Sequence, residues 1–285
     1  MTGQPTNRTT GDAVLVTGAS TGIGQAMVEH FAGRGVVVFA AVRDLATVEG
    51  HPLVTAVRLD VTSQDEALAA AEVVRASGAR LKGLVNNAGV AVGGPLEYLD
   101  LDELRRQLEI NLVGQLGVTQ AFLPLLREHS APRIVFTSSI GGRIAAPFIG
   151  PYAASKHALN GLAESLRREL LPWRFGVSVL APATVSTPIW DKAGDQVGDI
   201  SAALPDEARE RYGTAIESMQ RLSADARHGG LAPVEVAKAA WHAVFASRPK
   251  AEYLIGREAR MMATVDAVLP TRVFDRAVLK NMGLG

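Results

Sequence analysis

The 285-residue chain contains no cysteine, and this absence excludes disulfide bonds, thiolate catalysis and cysteine-ligated metal sites. It also lacks an excess of either charge, because 29 basic residues balance 29 acidic ones. A balanced chain has no electrostatic attraction for nucleic acid or for an anionic membrane. No apolar run approaches the ~20 residues of a membrane-spanning helix, and the six histidines show no metal-binding spacing. We therefore expect a protein without a metal, a nucleic-acid partner or a transmembrane segment.

The amino-terminal residues also lack the apolar core of a signal peptide. Residues 1–11 are polar and contain several threonines and glycines, so we interpret them as a disordered tail. The remainder, residues 12–285, shows no break in composition and has an ordinary share of hydrophobic residues. We expect it to form one domain. The absence of cysteine suits a reducing compartment, and we expect a cytoplasmic protein.

What the chain does contain, first of all, is a strand followed by a glycine-rich turn. Residues 13–17 form an apolar run that predicts a buried strand, and a helical pattern follows the turn. Strand, glycine turn and helix in this order bind phosphate, because glycine allows close backbone approach and the helix N-terminus offers free N–H groups. The cofactor-binding residues that we assign here are Gly18, Ser20, Thr21, Gly22, Ile23 and Gly24.

The second apolar run, residues 36–42, ends at Arg43 and Asp44. In dinucleotide-binding folds an acidic residue near this position binds the adenosine ribose and selects NAD, whereas an arginine accommodates the 2′-phosphate of NADP. Here the arginine comes directly after the strand and the aspartate one residue later. We therefore predict NADP over NAD, with Arg43 in contact with the cofactor. The alternative is that Arg43 is only solvated.

Polar residues also follow the third and fourth apolar runs. Residues 54–59 lead into Asp60 and Val61, where a carboxylate can either reach the adenine amino group or cap the next helix. Residues 81–85 lead into the sequence Asn-Asn-Ala-Gly at 86–89, whose amides can hold the turn open beside a cofactor. The cofactor-binding residues that we assign at these strand ends are Asp60, Val61, Asn87, Ala88 and Gly89.

Two further strands complete the alternating pattern. Residues 133–137 end in Ser138 and Ser139, and residues 177–180 end just before Pro182. Alternating strands and helices predict a Rossmann-type, doubly wound parallel sheet that is flanked by helices, with ligands at the carboxyl ends of its strands. Our fold class is therefore α/β.

Helical segments supply the remaining polar candidates. Residues 101–126 carry a helical pattern in which Asn111 stands among apolar residues, as either a satisfied buried amide or a site residue. Tyr152 and Lys156 lie four residues apart, which places them on one face of a helix. A nearby ammonium favours the phenolate and lowers the pKa of a phenol from ~10 toward neutral pH. The pair can therefore exchange a proton with a substrate oxygen.

Taken together, these motifs resemble those of the short-chain dehydrogenase/reductase family in its single-domain form. The resemblance rests on residues 17–24, 86–89 and 152–156 with Asn111 and Ser139, in the family's order and spacing, and it is firm as far as Pro188. Four catalytic roles follow from it. The resemblance implies that Tyr152 is the general acid–base, that Ser139 rather than Ser138 steadies the substrate oxygen, and that Lys156 binds the nicotinamide ribose and lowers the pKa of the tyrosine. Asn111 would position a water that relays protons to Lys156.

The resemblance also extends the set of cofactor contacts. The further cofactor-binding residues that it implies are Tyr152, Lys156, Pro182, Val185 and Thr187. Arg43 matches a position where NADP-preferring members carry a basic residue, whereas Thr21 stands where some of them carry another. Ala183 follows Pro182 where the family often has glycine, so this turn must avoid a positive φ.

We therefore expect an NADP-dependent oxidoreductase that interconverts a secondary alcohol and a ketone or aldehyde by hydride transfer. Short matches at residues 39–45 and 141–148 are similar to hydroxysteroid and retinol dehydrogenases, which favours a lipophilic substrate. Two alternatives keep the fold, namely a non-redox reaction and a catalytically silent NADP-sensing protein. The intact set of Asn, Ser, Tyr and Lys favours the redox reaction over both.

Residues 188–232 form a segment far longer than an ordinary connection, and we interpret it as a substrate lid. A helix that starts after Pro205 would have one apolar side, and we expect this side to form part of the wall of a lipophilic pocket. The residues that we expect to form this wall are Trp190, Phe148, Tyr212, Ala215, Ile216, Met219 and Leu222. The alternative is that this helix packs on the core. The apolar helices at 101–126 and 152–170 further predict a homodimer or homotetramer, unless those faces are buried within one chain.

Overall fold

Seven parallel strands form the centre of the molecule in the computed structural model, which describes residues 11–189 and 204–281. Their bounds are β1 Asp12–Thr17, β2 Val37–Val42, β3 Val54–Arg58, β4 Arg80–Asn86, β5 Arg133–Thr137, β6 Gly176–Pro182 and β7 Glu252–Ile255. They lie in the order β3-β2-β1-β4-β5-β6-β7, and every neighbouring pair is parallel. The predicted Rossmann-type sheet is confirmed. Apart from Gly11, the predicted disordered tail lies outside the described residues.

The strands are nearly continuous apolar runs because helices cover both faces of the sheet. Successive residues of a strand point to opposite faces, so Leu15 joins one core cluster and its neighbours Val14 and Val16 join the other. Leu15 pairs with Phe39 on β2 and with Leu84 on β4. All three are buried, and this register places the apolar centre of the sheet beneath the helices.

The helices of the described residues are α1 Gly22–Ala32, α2 Gln64–Ser77, α3 Leu101–Leu108, α4 Gly114–Leu126, α5 Gly150–Leu170, α6 Asp206–Gly229, α7 Pro233–Phe245, α8 Arg257–Val268 and α9 Thr271–Asn281. Residues of α2, α4 and α5 form the core on one face of the sheet, and residues of α1 and α7 form it on the other. Across the described part of the chain, none of the helices combines the length and the apolar character needed to cross a membrane.

The segment at residues 101–126 is one helical pattern in the sequence but three pieces in the structure. Between α3 and α4 lies a π-helical turn, Glu109–Val113, in which the helix is locally widened. Asn111 lies in this turn with no exposed surface. A Cβ atom at Gly114 would lie 2.5 Å from the carbonyl oxygen of Val61, so glycine permits the close approach of α4 to the turn after β3.

A crevice opens where the strand order reverses. The chain passes from β1 to β2 and β3 on one side of the sheet, and from β4 to β5, β6 and β7 on the other. The turns that follow the strands therefore diverge at the carboxyl edge between β1 and β4, which is where α/β sheets of this kind bind ligands. The predicted site residues follow these strands.

The carboxyl-terminal part adds elements that the sequence pattern did not predict. Strand β7 extends the sheet beyond β6, and the Ala183 N–H donates to the Ile255 carbonyl oxygen at 3.0 Å. Gly256, with φ of 97°, turns the chain from β7 into α8 in a conformation that glycine adopts readily. The start of α8 thus lies at the same edge of the sheet as the crevice.

The helix predicted after Pro205 is confirmed as α6, but its apolar side does not wall the crevice. Ile216 and Met219 are buried against Phe148 and Tyr98, and neither is among the described residues that line the crevice. The expectation that they face the substrate is corrected, because their side chains are used in packing α6 onto the body of the protein. Two further predicted wall residues, Trp190 and the side chain of Leu222, lie outside the part of the chain that the structure describes.

Candidate active site

The crevice encloses a cavity of about 820 Å³, which we call the central cavity. This volume falls within the ~300–1,000 Å³ range of small-ligand sites. The predicted site residues that line it are Gly18, Ser20, Thr21, Gly22, Ile23, Arg43, Asp60, Val61, Asn87, Ala88, Gly89, Ser139, Tyr152, Lys156, Pro182, Val185 and Thr187. The structure therefore brings together residues from the turns after β1 to β6 and from helix α5. Gly24 and Asn111 lie behind the wall.

The glycine turn after β1 is packed too closely to admit side chains. Gly18 has φ of 62°, and a Cβ atom there would lie 2.8 Å from the Cα of Ala88. A Cβ at Gly24 would lie 2.1 Å from the Gly18 carbonyl oxygen, so Gly24 supports the turn from behind. The N-terminus of α1 therefore opens onto the central cavity with no side chain in between. This arrangement fits a pyrophosphate group.

The turn after β4 is fastened to the glycine turn by hydrogen bonds. The backbone N–H groups of Asn87 and Ala88 donate to Thr17 Oγ1 at 2.9 and 3.0 Å. The Asn87 amide donates to the Thr17 carbonyl oxygen at 3.0 Å, and the Asn86 amide donates to Thr119 Oγ1 on α4 at 2.8 Å. The prediction that these amides hold the exit turn of β4 in place is confirmed.

Arg43 and Asp44, at the end of β2, differ in what they face. Arg43 lines the central cavity, whereas Asp44 is not among the described residues that do so. The Asp44 Oδ1 accepts from the Ala46 N–H at 3.0 Å and thereby caps the short 3₁₀ turn Leu45–Thr47. The cation is therefore available to a ligand, and the carboxylate is occupied by the backbone.

Asp60, at the end of β3, lines the cavity but also forms a local turn. Its Oδ1 accepts from the backbone N–H and the hydroxyl of Thr62 at 3.0 and 2.8 Å, while Ser63 caps α2. Asp60 is therefore not the helix cap. Burial raises the pKa of Asp60, but the Thr62 hydrogen bonds and the charges of Arg43 and Arg58 outweigh it, so the pKa lies below its usual value.

Ser139 and Tyr152 meet in the central cavity beside β5. A Cβ atom at Gly141 would lie 3.3 Å from Tyr152 Cε1 and 3.4 Å from Ser139 Oγ, so the two side chains adjoin, and Ser139 Oγ accepts from the Gly141 N–H at 3.0 Å. Ser138, the competing candidate, is buried, and its hydroxyl makes no hydrogen bond with the described residues. The geometry therefore associates Tyr152 with Ser139, as the family resemblance implies.

Lys156 lies one turn after Tyr152 on α5 and is only 4% exposed. Its Nζ donates to the Thr137 carbonyl oxygen at 2.8 Å and lies 5.7 Å from the centroid of the Tyr152 ring. Burial lowers the pKa of Lys156 to about 8. The lysine thus titrates near the physiological range, because it is held where its ammonium is poorly solvated.

The pKa of Tyr152 departs from the expectation drawn from the sequence. Burial raises it above its usual value, and the hydrogen bond with Ser139 lowers it only in part. Lys156 does not shift it toward neutrality, since its Nζ is directed at the Thr137 carbonyl rather than at the phenol oxygen. Tyr152 is therefore a protonated phenol at neutral pH, which suits the donation of a proton.

Asn111 is a satisfied buried amide that also supports the site. Its Oδ1 accepts from the Val90 N–H at 2.9 Å, and its Nδ2 donates to the Val90 carbonyl oxygen at 2.9 Å and to Ser155 Oγ at 3.1 Å. A Cβ at Gly89 would lie 3.2 Å from this Oδ1 and 3.7 Å from Lys156 Nζ. Asn111 thus ties the wall after β4 to the helix that carries Tyr152 and Lys156.

Two glutamines extend this row of amides and were not predicted from the sequence. Gln107 accepts from the Val92 N–H and donates to the Val90 carbonyl oxygen, both at 2.7 Å, and it has no exposed surface. Gln115 donates to the Ala88 carbonyl oxygen. The sequence feature that could have identified them is their position four residues before and four residues after Asn111, within an apolar helical run. Together the three amides fix the backbone that lines the cavity between β4 and α3.

The wall of the central cavity on the β5–β7 side is mostly apolar. Its apolar residues are Ile140, Ile144, Ala146, Ile149, Pro188, Ile189 and Met262. The last of these comes from α8, together with Glu258, and neither was predicted from the sequence. Within the described ranges, no three histidine or acidic residues are grouped so as to hold a metal ion. The site therefore combines a polar nucleotide cradle with an apolar compartment.

Comparison with known proteins shows which family this fold and this site resemble. The profile of the family described as short chain dehydrogenase matches residues 12–198. The NADPH-dependent 3-dehydrocapnine reductase of Ornithobacterium rhinotracheale is 32% identical over 279 residues, which cover 94% of this chain and 96% of that protein. Retinol dehydrogenase 5 of Mus musculus is 32% identical over 276 residues, which cover 92% and 86%. A solved short chain dehydrogenase/reductase of Burkholderia phymatum, in complex with NAD, is 30% identical, with a TM-score of 0.75 over 90% of this chain and 92% of that one.

The sheet, the glycine cradle and the Ser–Tyr–Lys cluster define a dinucleotide-binding oxidoreductase. The chain belongs to the short-chain dehydrogenase/reductase family. Its relatives are named as reductases and dehydrogenases, and the family acts with a nicotinamide cofactor. The reductase of Ornithobacterium rhinotracheale is named for NADPH and the Burkholderia phymatum structure contains NAD, so the family alone does not decide between the two cofactors.

Proposed function

We propose that the protein interconverts a secondary alcohol and a ketone or aldehyde on a lipophilic small molecule, with NADP(H) as its cofactor. The observation that carries this proposal is the position of Tyr152 beside Ser139, one helical turn from the buried Lys156, in the cavity that also contains the glycine cradle. Groups that protonate an oxygen and groups that bind a nucleotide thus share one enclosed space.

The residues of the central cavity fit a dinucleotide along the carboxyl edge of the sheet. The turn at 18–24 would bind the pyrophosphate, Asp60 and Val61 would flank the adenine, and Lys156 would bind the ribose next to the nicotinamide. Thr187, together with its neighbours at the end of β6, would contact the nicotinamide carboxamide. When bound, the cofactor supplies or accepts the hydride. All of these residues line the same cavity.

The proton in this reaction is assigned to Tyr152. In the reducing direction the phenol donates its proton to the carbonyl oxygen, and it is reprotonated afterwards. Since the Gly141 N–H already donates to Ser139 Oγ, the serine retains its own hydrogen to stabilise the substrate oxygen. Lys156, whose Nζ donates to the Thr137 carbonyl oxygen, would act on the nicotinamide ribose rather than on the pKa of the phenol. Positioned acid–base groups of this kind contribute ~10²–10⁴-fold in rate.

The preference for NADP follows from the end of β2. Arg43 faces the cavity while the Asp44 carboxylate is bound to the backbone N–H of Ala46. A 2′-phosphate would therefore meet a guanidinium, with which it forms strong charge-assisted hydrogen bonds. An unmodified ribose would find no such partner in Asp44.

The lipophilic substrate class is inferred from the apolar compartment. Ile140, Ile149 and Ile189 line it beside Tyr152. Apolar walls of this kind bind substrates through the surface that they remove from water. A bulky hydrophobic alcohol or ketone would use this area, whereas a small hydrophilic one would leave it exposed to solvent.

The test is oxidation of NADPH, followed by its absorbance, with a panel of lipophilic ketones. Tyr152→Phe should lose at least ~10²-fold in kcat yet retain its affinity for NADPH, because the hydroxyl acts on the substrate. Tyr212→Phe is the matched control. Its hydroxyl bonds to Glu97 on the surface, 2.7 Å from Oε2. A near-normal kcat for Tyr152→Phe, or an equal loss in the control, would contradict the assignment.

We also propose a homo-oligomer that forms through the surface of α3, the π-helical turn and the end of α5. The apolar side of α4, which continues the same helical run, is used within the chain, since Val118 and Phe122 are fully buried. Leu101, Val113 and Trp173, however, are 59%, 52% and 57% exposed. Light scattering should show a dimer or tetramer at micromolar concentration. A monomer there would exclude the proposal.

A further inference from the structure

The carboxyl-terminal helix α8 brings an acidic side chain to the central cavity. Glu258 lies in the first turn of α8 and lines the cavity together with Met262, one turn further along. Both residues lie beyond position 198, where the match to the family profile ends. Glu258 is exposed and forms no ion pair or hydrogen bond with the residues that the structure describes. Its carboxylate is therefore available to a ligand.

The order of the strands fixes where Glu258 lies relative to the reacting groups. Ser139 follows β5, whereas α8 follows β7, two strands further across the sheet. Neighbouring strands are about 4.8 Å apart, so these strand ends are separated by about 10 Å. Arg43 follows β2, on the opposite side of β5. Seen from the end of the cavity where the adenosine would bind, Glu258 therefore lies beyond Ser139 and Tyr152. This is the part of the cavity into which a substrate would extend.

The other charged groups of the cavity lie elsewhere. Arg106 and Glu109 come from α3 and the π-helical turn, and Arg106 pairs with Glu103 at 2.7 Å. The basic neighbours of Glu258 on α8, Arg257 and Arg260, line a separate cleft along β7. On the β5–β7 side of the cavity, the charged side chains of the described residues are Glu258 and the buried Lys156, whose Nζ is bound to the Thr137 carbonyl oxygen; the rest of the lining is apolar, hydroxyl or backbone.

We propose that Glu258 is a specificity-determining residue that selects substrates with a cationic group, such as an ammonium, about 10 Å from the reacting carbonyl. This inference rests on the proposed function, which it deepens by naming the substrate's charge. The apolar wall, including Met262, binds the skeleton that joins the two groups. The carboxylate attracts the cation and repels an anion at the same place.

A purely structural role for Glu258 makes a different prediction. An acidic residue in the first turn of a helix also stabilises the helix through its dipole. Loss of that effect would lower the stability of the protein and would weaken the binding of all substrates alike. Discrimination between substrates of different charge therefore separates the two roles.

The experiment uses three ketones that share one skeleton and carry para substituents of similar size but different charge. They are the para-hydroxymethyl, the para-aminomethyl and the para-carboxylate derivatives of 4-phenylbutan-2-one. In the second compound the ammonium lies about 9 Å from the carbonyl carbon, close to the separation that the strand spacing gives. For each ketone, kcat/KM is measured with NADPH as the cofactor. The Kd of each ketone for the complex of the protein with NADP is measured by calorimetry.

The variants are Glu258→Gln, Glu258→Lys and the control Glu235→Gln. Glu235 is also exposed, lies on α7 and pairs with Lys238 at 2.6 Å, so its change alters the net charge equally without touching the cavity. The parent should prefer the cationic ketone over the neutral one by about three- to fivefold, as befits an ion pair that remains partly solvated. Glu258→Gln should abolish this preference, Glu258→Lys should reverse it in favour of the carboxylate, and the control should leave it unchanged.

The outcomes distinguish this inference from the proposed reaction. If the parent shows no preference for the cation, or if Glu258→Gln retains the preference, the inference is overturned while ketone reduction stands. An equal change in the control also overturns it, because the effect would then come from net charge. If none of the ketones is reduced but the Kd values follow charge and respond to Glu258→Gln, the subsite is supported and the proposed reaction fails.

Discussion

Replacing Lys156 by methionine should stabilise the protein while it abolishes activity. Lys156 is 4% exposed, and burial lowers its pKa from 10.5 to about 8. At neutral pH this difference corresponds to about 3 kcal/mol of lost stability. Methionine has a similar length and no charge, but it would leave the Thr137 carbonyl oxygen without its 2.8 Å partner, at a cost of about 1 kcal/mol. The expected net gain in the free energy of unfolding is about 2 kcal/mol.

The pH dependence gives this prediction its sign. The folded-state pKa of Lys156 lies below the unfolded-state value, so between about 8 and 10.5 the unfolded chain binds more protons. The stability of the parent therefore rises with pH across this window. The penalty is fully present below the folded-state pKa and disappears as the pH approaches the unfolded-state value. The advantage of the variant should shrink by about 2 kcal/mol between about pH 7 and about pH 9.5.

Denaturant unfolding of the cofactor-free protein at several pH values measures this difference. Other lysines and tyrosines titrate in the same window, so the quantity of interest is the variant minus the parent at each pH. Lys238→Met is the control, because this lysine is exposed and pairs with Glu235 on the surface. Its effect should stay within about 0.5 kcal/mol and be independent of pH. A Lys156→Met variant that is less stable than the parent near pH 7, or whose advantage does not change with pH, would refute the reasoning.

Three further predictions concern the same cavity. Arg43→Ala should lower kcat/KM with NADPH by about 10-fold or more, since a charge-assisted bond is worth about 1.5–3 kcal/mol, and should leave kcat/KM with NADH almost unaffected. If the ratio of the two kcat/KM values does not change, the basis for the NADP preference is removed. Because burial raises the pKa of Tyr152, the rate of ketone reduction should fall, and the rate of alcohol oxidation should rise, only at alkaline pH. Profiles of rate against pH, measured in both directions of the reaction, can check this. Gln107→Leu should raise KM more than it lowers kcat, because it releases Val90 and Val92 from a buried amide; a loss of thermal stability with unchanged kinetics would show that this amide only supports the fold.

The parts of the site that the sequence predicted are those whose chemistry is local. Gly18 must adopt a positive φ beside a strand, and this requirement can be recognised from the strand, turn and helix pattern alone. The position of Arg43 directly after β2 likewise follows from the strand itself. In both cases a short segment determines the geometry, so no knowledge of distant residues was needed.

The parts that the sequence did not predict depend on contacts between distant segments. Burial raises the pKa of Tyr152, and Lys156 Nζ donates to the Thr137 carbonyl oxygen rather than to the phenol; the spacing of Tyr152 and Lys156 shows neither. Strand β7 has only four residues, too few for a clear pattern in the sequence, so the sequence did not place Glu258 in the central cavity. The apolar side of α6 predicted a helix correctly, but periodicity does not show whether such a side faces a ligand or a neighbouring segment.

The polar atoms around Lys156 explain why stability and activity should oppose each other at this site. Buried polar atoms without a hydrogen-bond partner among the described residues are Asn86 Oδ1, Gln115 Oε1, Thr137 Oγ1, Ser138 Oγ, Asn160 Oδ1 and Arg133 Nε. Arg133 begins β5, whereas the others lie at the carboxyl ends of β4 and β5 or on α4 and α5, and each unpaired group costs about 1–3 kcal/mol. The apolar clusters on the two faces of the sheet offset these costs. Locally unfavourable choices of this kind persist where function requires them, and a single apolar substitution at Lys156 should therefore recover stability only by removing the charge that the reaction uses.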